Sequence, residues 1–183
     1  NTIISTWNSS YRSTFIASTG SSIGSSLGYL VNQLNFEVDL LKNGKLGIPL
    51  GKKTLGVALP EKCEAYYANT ISVTLAKECL NNIEDMYRGR SASGSDGPGM
   101  DDYLVALKAQ SSSGTLADAI SAQFALAKSK LALVQEPLSV AVTNNATGVD
   151  AAYMEIQHLL VLLKTDMPSA MGIVITYQDG DGD

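Results

Sequence analysis

Few residues of this sequence have side chains that could do chemistry, and they are scattered. His158 is the only histidine, so any Ser-His-Asp triad or imidazole metal centre would have to pass through it. It sits among Ile156, Leu159 and Leu160 on an apolar-rich stretch, where an imidazole can be a packed or surface group as readily as a base or ligand. Cys63 and Cys79 stand sixteen apart. With one histidine they fall short of the roughly four N/S ligands of a structural zinc site. They read as free, packed thiols or as one disulfide in an oxidising compartment. Glu78 and Asp85 lie two turns apart on one helix face with Asn82 between them, a hard-metal arrangement or a solvated face. Asp179, Asp181 and Asp183 have the spacing of the first three ligands of a calcium loop. The Gly and closing Glu of such a loop are absent, so an acidic tail is the competing reading. No HExxH, GxSxG, P-loop or dinucleotide fingerprint is present.

Lys164-Thr165-Asp166 forms a further cluster, immediately before Met167-Pro168. Proline disfavours the α conformation in the residue before it, so the helix is expected to end or kink there. Charged groups at that end either cap the helix, with Lys164 at the negative end of its dipole, or line a cavity.

Helical periodicity positions these residues. Ile23, Leu27, Leu30, Leu34, Val38 and Leu41 share one helix face, and Gly20, Gly24 and Gly28 recur every fourth residue as a flat face for a neighbouring backbone. Asn43-Gly44 and Gly47 are expected to break this helix, followed by a Gly/Pro-punctuated connection over residues 44–62. A second helix is expected over 72–87 with Leu75, Cys79, Ile83 and Met86 inward, ended by Gly89, then a loop over 91–99. Thr115 with Asp118 reads as a cap opening a helix with Leu116, Ile120, Phe124, Ala127, Leu131 and Val134 inward. Pro137 opens a short helix. Thr147 with Asp150 reads as the cap of the most apolar helix, through Val149, Tyr153, Ile156, Leu160 and Leu163, which should be surrounded by neighbours. Ile173 to Thr176 prefers an extended form without an evident partner strand. The expected fold is all-α, an antiparallel, modified four-helix bundle with one long irregular connection.

Composition bounds the function. The chain has 183 residues, 45% hydrophobic and 17% charged, with 13 basic against 18 acidic groups and net charge -5. That is a globular composition with no electrostatic reason to bind nucleic acid or an anionic membrane. No stretch reaches the roughly 20 apolar residues of a membrane span. The opening Asn1-Thr2-Ile3 has no Met and is already amphipathic, as in a chain that has lost a leader or belongs to a longer protein.

Several stretches together resemble the imelysin-like family, also called insulin-cleaving metalloproteinase-like or iron-regulated protein A-like. They are Lys45-Leu46-Gly47-Ile48-Pro49, Gly51-Lys52-Lys53-Thr54-Leu55-Gly56, Leu59-Pro60-Glu61-Lys62 and Glu64-Ala65-Tyr66-Tyr67. The longest is Leu162 to Gly172, closed by Thr176-Tyr177-Gln178-Asp179 and Asp181-Gly182-Asp183. The resemblance implies a helical, two-domain bacterial envelope protein, periplasmic or an outer-membrane lipoprotein, linked to iron uptake. It also implies a GxHxxE motif in an N-terminal half. This sequence lacks that motif and matches the part after it. Residues 1–183 are therefore expected to form the C-terminal bundle, with the N-terminal half of the same protein as partner.

The expected role is one wall of a ligand or metal site at the interface of the two halves. Iron, haem, another divalent metal, a small ligand or a polysaccharide are the candidate ligands, any metal being held mainly by the other half. The alternative is a supporting part of a metallopeptidase; no residue here is given a catalytic role. Lys164 and Asp166 are the candidate ligand-binding residues, with Glu64 and Tyr67 of the long connection expected to line the same cavity.

Overall fold

The computed structural model describes residues 2–68 and 70–176. Its helices are labelled here in chain order. Helix α1 (2–17) joins Thr2–Thr6, a π-helical turn Trp7–Tyr11 and Arg12–Ala17. Helix α2 (26–50) runs through Ser26–Asp39, a π-helical stretch Leu40–Gly47 and Ile48–Leu50. Then come α3 Ser72–Tyr87, α4 Met100–Ala106, α5 Leu116–Ala132 and α6 Leu138–Asn144. Helix α7 (146–171) joins Ala146–Val161, a π turn Leu162–Asp166 and Met167–Met171. The only sheet among the described residues is a hairpin, β1 Gln110–Ser111 with β2 Gly114–Thr115.

Helices α2, α3, α5 and α7 pack in a ring, each on the next and α7 back on α2. Their polar contacts fix the directions. Asn35 meets Leu163, Lys42 meets Gln157, and Lys52 pairs with Asp150, so α2 and α7 are antiparallel. Thr74 meets Glu136, Glu84 meets Lys128, and the rings of Tyr87 and Phe124 lie 5.6 Å apart, so α3 and α5 are antiparallel as well. The all-α bundle is thus a closed four-helix arrangement, and its core is one continuous apolar cluster. The inward face expected for α5, Leu116 to Val134, is buried at every named position. Thr115 accepts a hydrogen bond from the Asp118 amide at 3.2 Å and caps that helix as its spacing predicts.

Other local expectations are corrected. Asn43-Gly44 and Gly47 do not break α2, because the chain widens into a π-helix and carries on until Gly51, at φ +89°. Gly20 and Gly24 are not on a helix; both take left-handed φ in the loop before α2, whose cap is Ser25. In α2 the buried stripe is Val31, Leu34, Val38 and Leu41, while Leu30 is exposed and Ile23 lies exposed in the preceding loop. On α3 it is Val73, Ala76, Leu80, Ile83 and Tyr87, which leaves Leu75 and Cys79 half-buried and Met86 exposed. Helix α7 is capped by Asn145 rather than Thr147, and Val161 faces solvent, so its neighbours do not enclose it on every side. Helix α4 and the hairpin went unforeseen.

Pro168 does not end α7, which passes it through a π turn at Leu162–Asp166 and runs on to Met171. The amide of Met167 reaches back five residues to the Leu162 carbonyl, and Pro168 has no N–H, so the Leu163 carbonyl loses both helical donors. The fully buried Asn35 supplies the missing bond, its Nδ2 lying 2.9 Å from that oxygen. The helix then continues to Gly172, at φ +67°. Asn32 plays a similar part for the extended segment after it. It donates to the Val174 carbonyl at 3.1 Å and accepts from the Thr176 amide at 2.6 Å, standing in for the missing partner strand.

Candidate functional site

The widened turns of a π-helix push side chains off the regular face and are common at functional sites. The turn at Leu162–Asp166 does this on the outside of the α5–α7 pair. Leu162, Thr165 and Asp166, followed one turn later by Ser169 and Ala170, form one wall of a cleft of about 860 Å³. The opposite wall is the outer face of α5, with Ala119, Ala122, Gln123 and Leu126, and the hairpin closes one end with Gln110 and Ser111 to Ser113.

The lining explains what such a cleft could hold. Its apolar floor is made of Ala and Leu side chains, and its polar groups are five hydroxyls, two carboxamides and the Asp166 carboxylate. It carries no lysine, arginine or histidine. An anionic ligand would find no countercharge there and would meet a carboxylate, whereas an uncharged hydrogen-bonding chain or a cationic group is accommodated.

A second polar group borders this site. Gln123 Nε2 donates to the backbone carbonyl of Glu155 and to its Oε2, both at 2.9 Å, and His158 Nδ1 lies 3.1 Å from the same carboxylate oxygen. The hydrogen bonds from Gln123 and then His158 hold the Glu155 carboxyl below its ordinary pKa. His158 itself is more than half exposed and pairs with Glu155 one turn away, so the structure shows a helix-surface pair there and not a buried base.

The four residues selected from sequence separate. Asp166 lines the cleft and is exposed. Lys164 is half-buried outside the cleft, and because α7 continues past it, it does not sit at a helix end as the capping reading requires. Glu64 lies in a different groove, between α2 and α3, where Lys45 Nζ pairs with its carboxylate. Tyr67 projects into solvent at 102% relative exposure and borders neither cleft. The connection that carries Glu64 and Tyr67 therefore does not reach the Asp166 cleft. In the ring of helices the α2–α3 and α5–α7 faces are on opposite sides, a relation no spacing in the sequence encodes.

Among the described residues no three His, Cys, Asp or Glu side chains come together to hold a metal ion. Glu78 and Asp85 follow suit: Glu78 borders the α2–α3 groove and Asp85 lies beside Arg90 at 3.7 Å. The cleft's single carboxylate is not a metal centre by itself. The aspartates at 179, 181 and 183 lie outside the described residues. Both cysteines are free, and burial, with Glu136 and Glu61 adding repulsion, pushes the Cys63 thiol up to about 11. A thiol raised that far is protonated at neutral pH, which disfavours attack as a thiolate.

Residues 1–164 match the family model described as Imelysin, peptidase M75. The chain belongs to the imelysin family. No curated protein and no solved structure matches it. The imelysin match stops at Lys164, so Thr165, Asp166 and Ser169 of the cleft lie beyond it, whereas Gln123 and the hairpin lie within it. No helix among the described residues is long and apolar enough to cross a membrane. What sequence reasoning missed was the hairpin wall. Its signal was present in Ser111-Ser112-Ser113-Gly114, a turn-forming cluster just before a helix cap.

Proposed function

We propose that this imelysin-family domain is a binding module, and that the α5–α7 cleft takes an uncharged or cationic polar chain such as a peptide segment or a neutral polysaccharide. The observation that carries this reading is the lining itself: hydroxyls and carboxamides over an apolar floor, one carboxylate and no cation. The cleft is open on one side, which suits a site whose other wall comes from an N-terminal half of the same protein. A role in iron uptake and a place in the bacterial envelope belong to this proposal through the family. The lining disfavours anionic iron chelates in this cleft, so an iron ligand set would have to be supplied from elsewhere in the protein.

A metallopeptidase is the second reading, favoured by the family's description as a peptidase. The described residues then contribute a substrate-holding wall, since they assemble no metal ligands. In that case a chelator abolishes peptide cleavage by the full-length protein, and cleavage that survives chelation removes the reading.

The binding proposal is tested by titrating the chain with a lysine-containing tetrapeptide, a neutral oligosaccharide and ferric citrate. Backbone amide shifts should move at Ser111 to Ser113, Thr165, Asp166 and Ser169 with one of the first two probes and not with the third. Asp166→Ala should weaken binding of the cationic peptide about tenfold, the loss of one exposed charge-assisted contact, with an unchanged melting temperature. An unchanged affinity with a lowered melting temperature would make Asp166 a structural residue and refute the assignment.

A further inference from the structure

Helix α1 has an apolar stripe that no described residue covers. Ile3 is 83% exposed, Ile4 58%, Trp7 38%, Tyr11 49% and Ile16 58%, and no residue of the helix is buried. Trp7, Tyr11 and Phe15 cluster along it, with ring centroids 5.5–6.2 Å apart. Eight of its sixteen residues are Ser, Thr or Asn, all weak helix formers. Even Ala-rich helices of about 15 residues are marginal alone in water. This helix therefore needs a surface to lie on.

That surface is not its own bundle. Ser26 holds the base of α1, its hydroxyl bonding the Phe15 carbonyl and its amide the Ser18 carbonyl at 3.2 Å, and residues 2–14 are all exposed. A matching groove of about 410 Å³ runs between α2 and α3. Its floor is Leu75, Cys79, Ile83 and Met86, the stripe that periodicity marks as inward-facing; the bundle buries Ile83, half-buries Leu75 and Cys79 and leaves Met86 exposed. Its rim carries Glu37, Glu78 and the Glu64–Lys45 pair, a net negative edge. The first 36 residues contain one charged side chain, Arg12, and no acid. Helix α1 is thus apolar on one face and weakly positive, opposite to the groove.

We infer that α1 of one copy docks into the α2–α3 groove of a second copy, and reciprocally, in a two-fold helix-exchanged dimer. One helix in one groove covers on the order of 400 Å² of each surface, so two such contacts reach the roughly 1,200–2,000 Å² total of a stable interface. The arrangement is isologous and closes on itself.

Trp7 is the only tryptophan, so its emission reports on α1 alone. The full chain is expected to sediment as a dimer at concentrations of about 100 µM, with Trp7 emission shifting to the blue as dimer forms. Ile4→Asp on the helix and Met86→Lys in the groove, both at exposed positions, should each weaken the dimer at least tenfold with an unchanged helical circular dichroism signal. A mixture of the two variants should recover a heterodimer, because it contains one intact helix and one intact groove. Four results would overturn the proposal: a monomer with red-shifted emission at every concentration; a monomer with blue-shifted emission, meaning that α1 folds onto its own groove; a dimer unaffected by Met86→Lys; or a blue shift seen only with phosphatidylcholine–phosphatidylglycerol vesicles.

Discussion

At the scale of single residues, the chemistry of this imelysin-family chain is quieter than its sequence suggests, and the charged group with the clearest structural role is Glu84. It is buried where α3 meets α5, with Arg88 Nε at 2.8 Å and Lys128 Nζ against its other oxygen. Burial alone would raise its pKa, but hydrogen bonds from Lys128 and Arg88 and their positive charges outweigh that and hold it below the ordinary 4.5. A carboxylate with a depressed folded pKa contributes stability fully above its unfolded value, and loses it as pH falls through the folded one. Glu84→Gln should therefore cost about 1–3 kcal/mol at neutral pH. The gap to the parent chain should close as pH drops below about 4.5. Thermal unfolding from pH 7 to pH 3 measures this, and a gap that does not vary with pH would show that Glu84 acts through packing alone.

At the scale of elements, two long helices are held continuous through their prolines by π turns. In α2 the Ile48 amide reaches the Asn43 carbonyl just before Pro49, and in α7 the Met167 amide reaches Leu162 just before Pro168. In α7 the carbonyl left over is served by Asn35, so a side chain of one helix completes the backbone of its antiparallel neighbour. Asn35→Ala should destabilise the chain by about 1–3 kcal/mol, the cost of an unsatisfied buried carbonyl. Pro168→Ala restores an N–H to the same turn, so the double variant should recover part of the loss. Urea denaturation of the single and double variants gives the coupling, and strictly additive losses would contradict the shared-carbonyl account.

For the whole molecule, the ring of α2, α3, α5 and α7 creates two outer faces with different uses. The α5–α7 face carries the polar cleft with Asp166, and the α2–α3 face carries the apolar groove with an acidic rim. Helix α1 stands apart from both. Stability should divide accordingly. Native-state hydrogen exchange in dilute solution should find the amides of residues 2–17 close to unprotected and those of α5 and α7 at the global unfolding limit. Protection of α1 equal to the bundle's at every concentration would mean that it packs within one chain.

Much of this protein was decided by the sequence alone. The fold class, the antiparallel bundle, the buried face of α5, its Thr115 cap and the family were all legible, because each depends on contacts within a few turns or on continuous motifs. The face of α3 was displaced, because its apolar residues cover more of the helix than the bundle buries, and periodicity cannot say which edge is left outside. The breaks expected at Asn43-Gly44 and before Pro168 were overridden by tertiary contacts, the latter by Asn35 donating across 128 positions of sequence. The same holds for the site. Asp166, two positions before Pro168 on an apolar helix, is locally conspicuous, and the structure places it on a cleft wall. Glu64 and Tyr67 were expected to line the same cavity, and only the closing of the four-helix ring set Glu64 in the opposite groove and left Tyr67 in solvent.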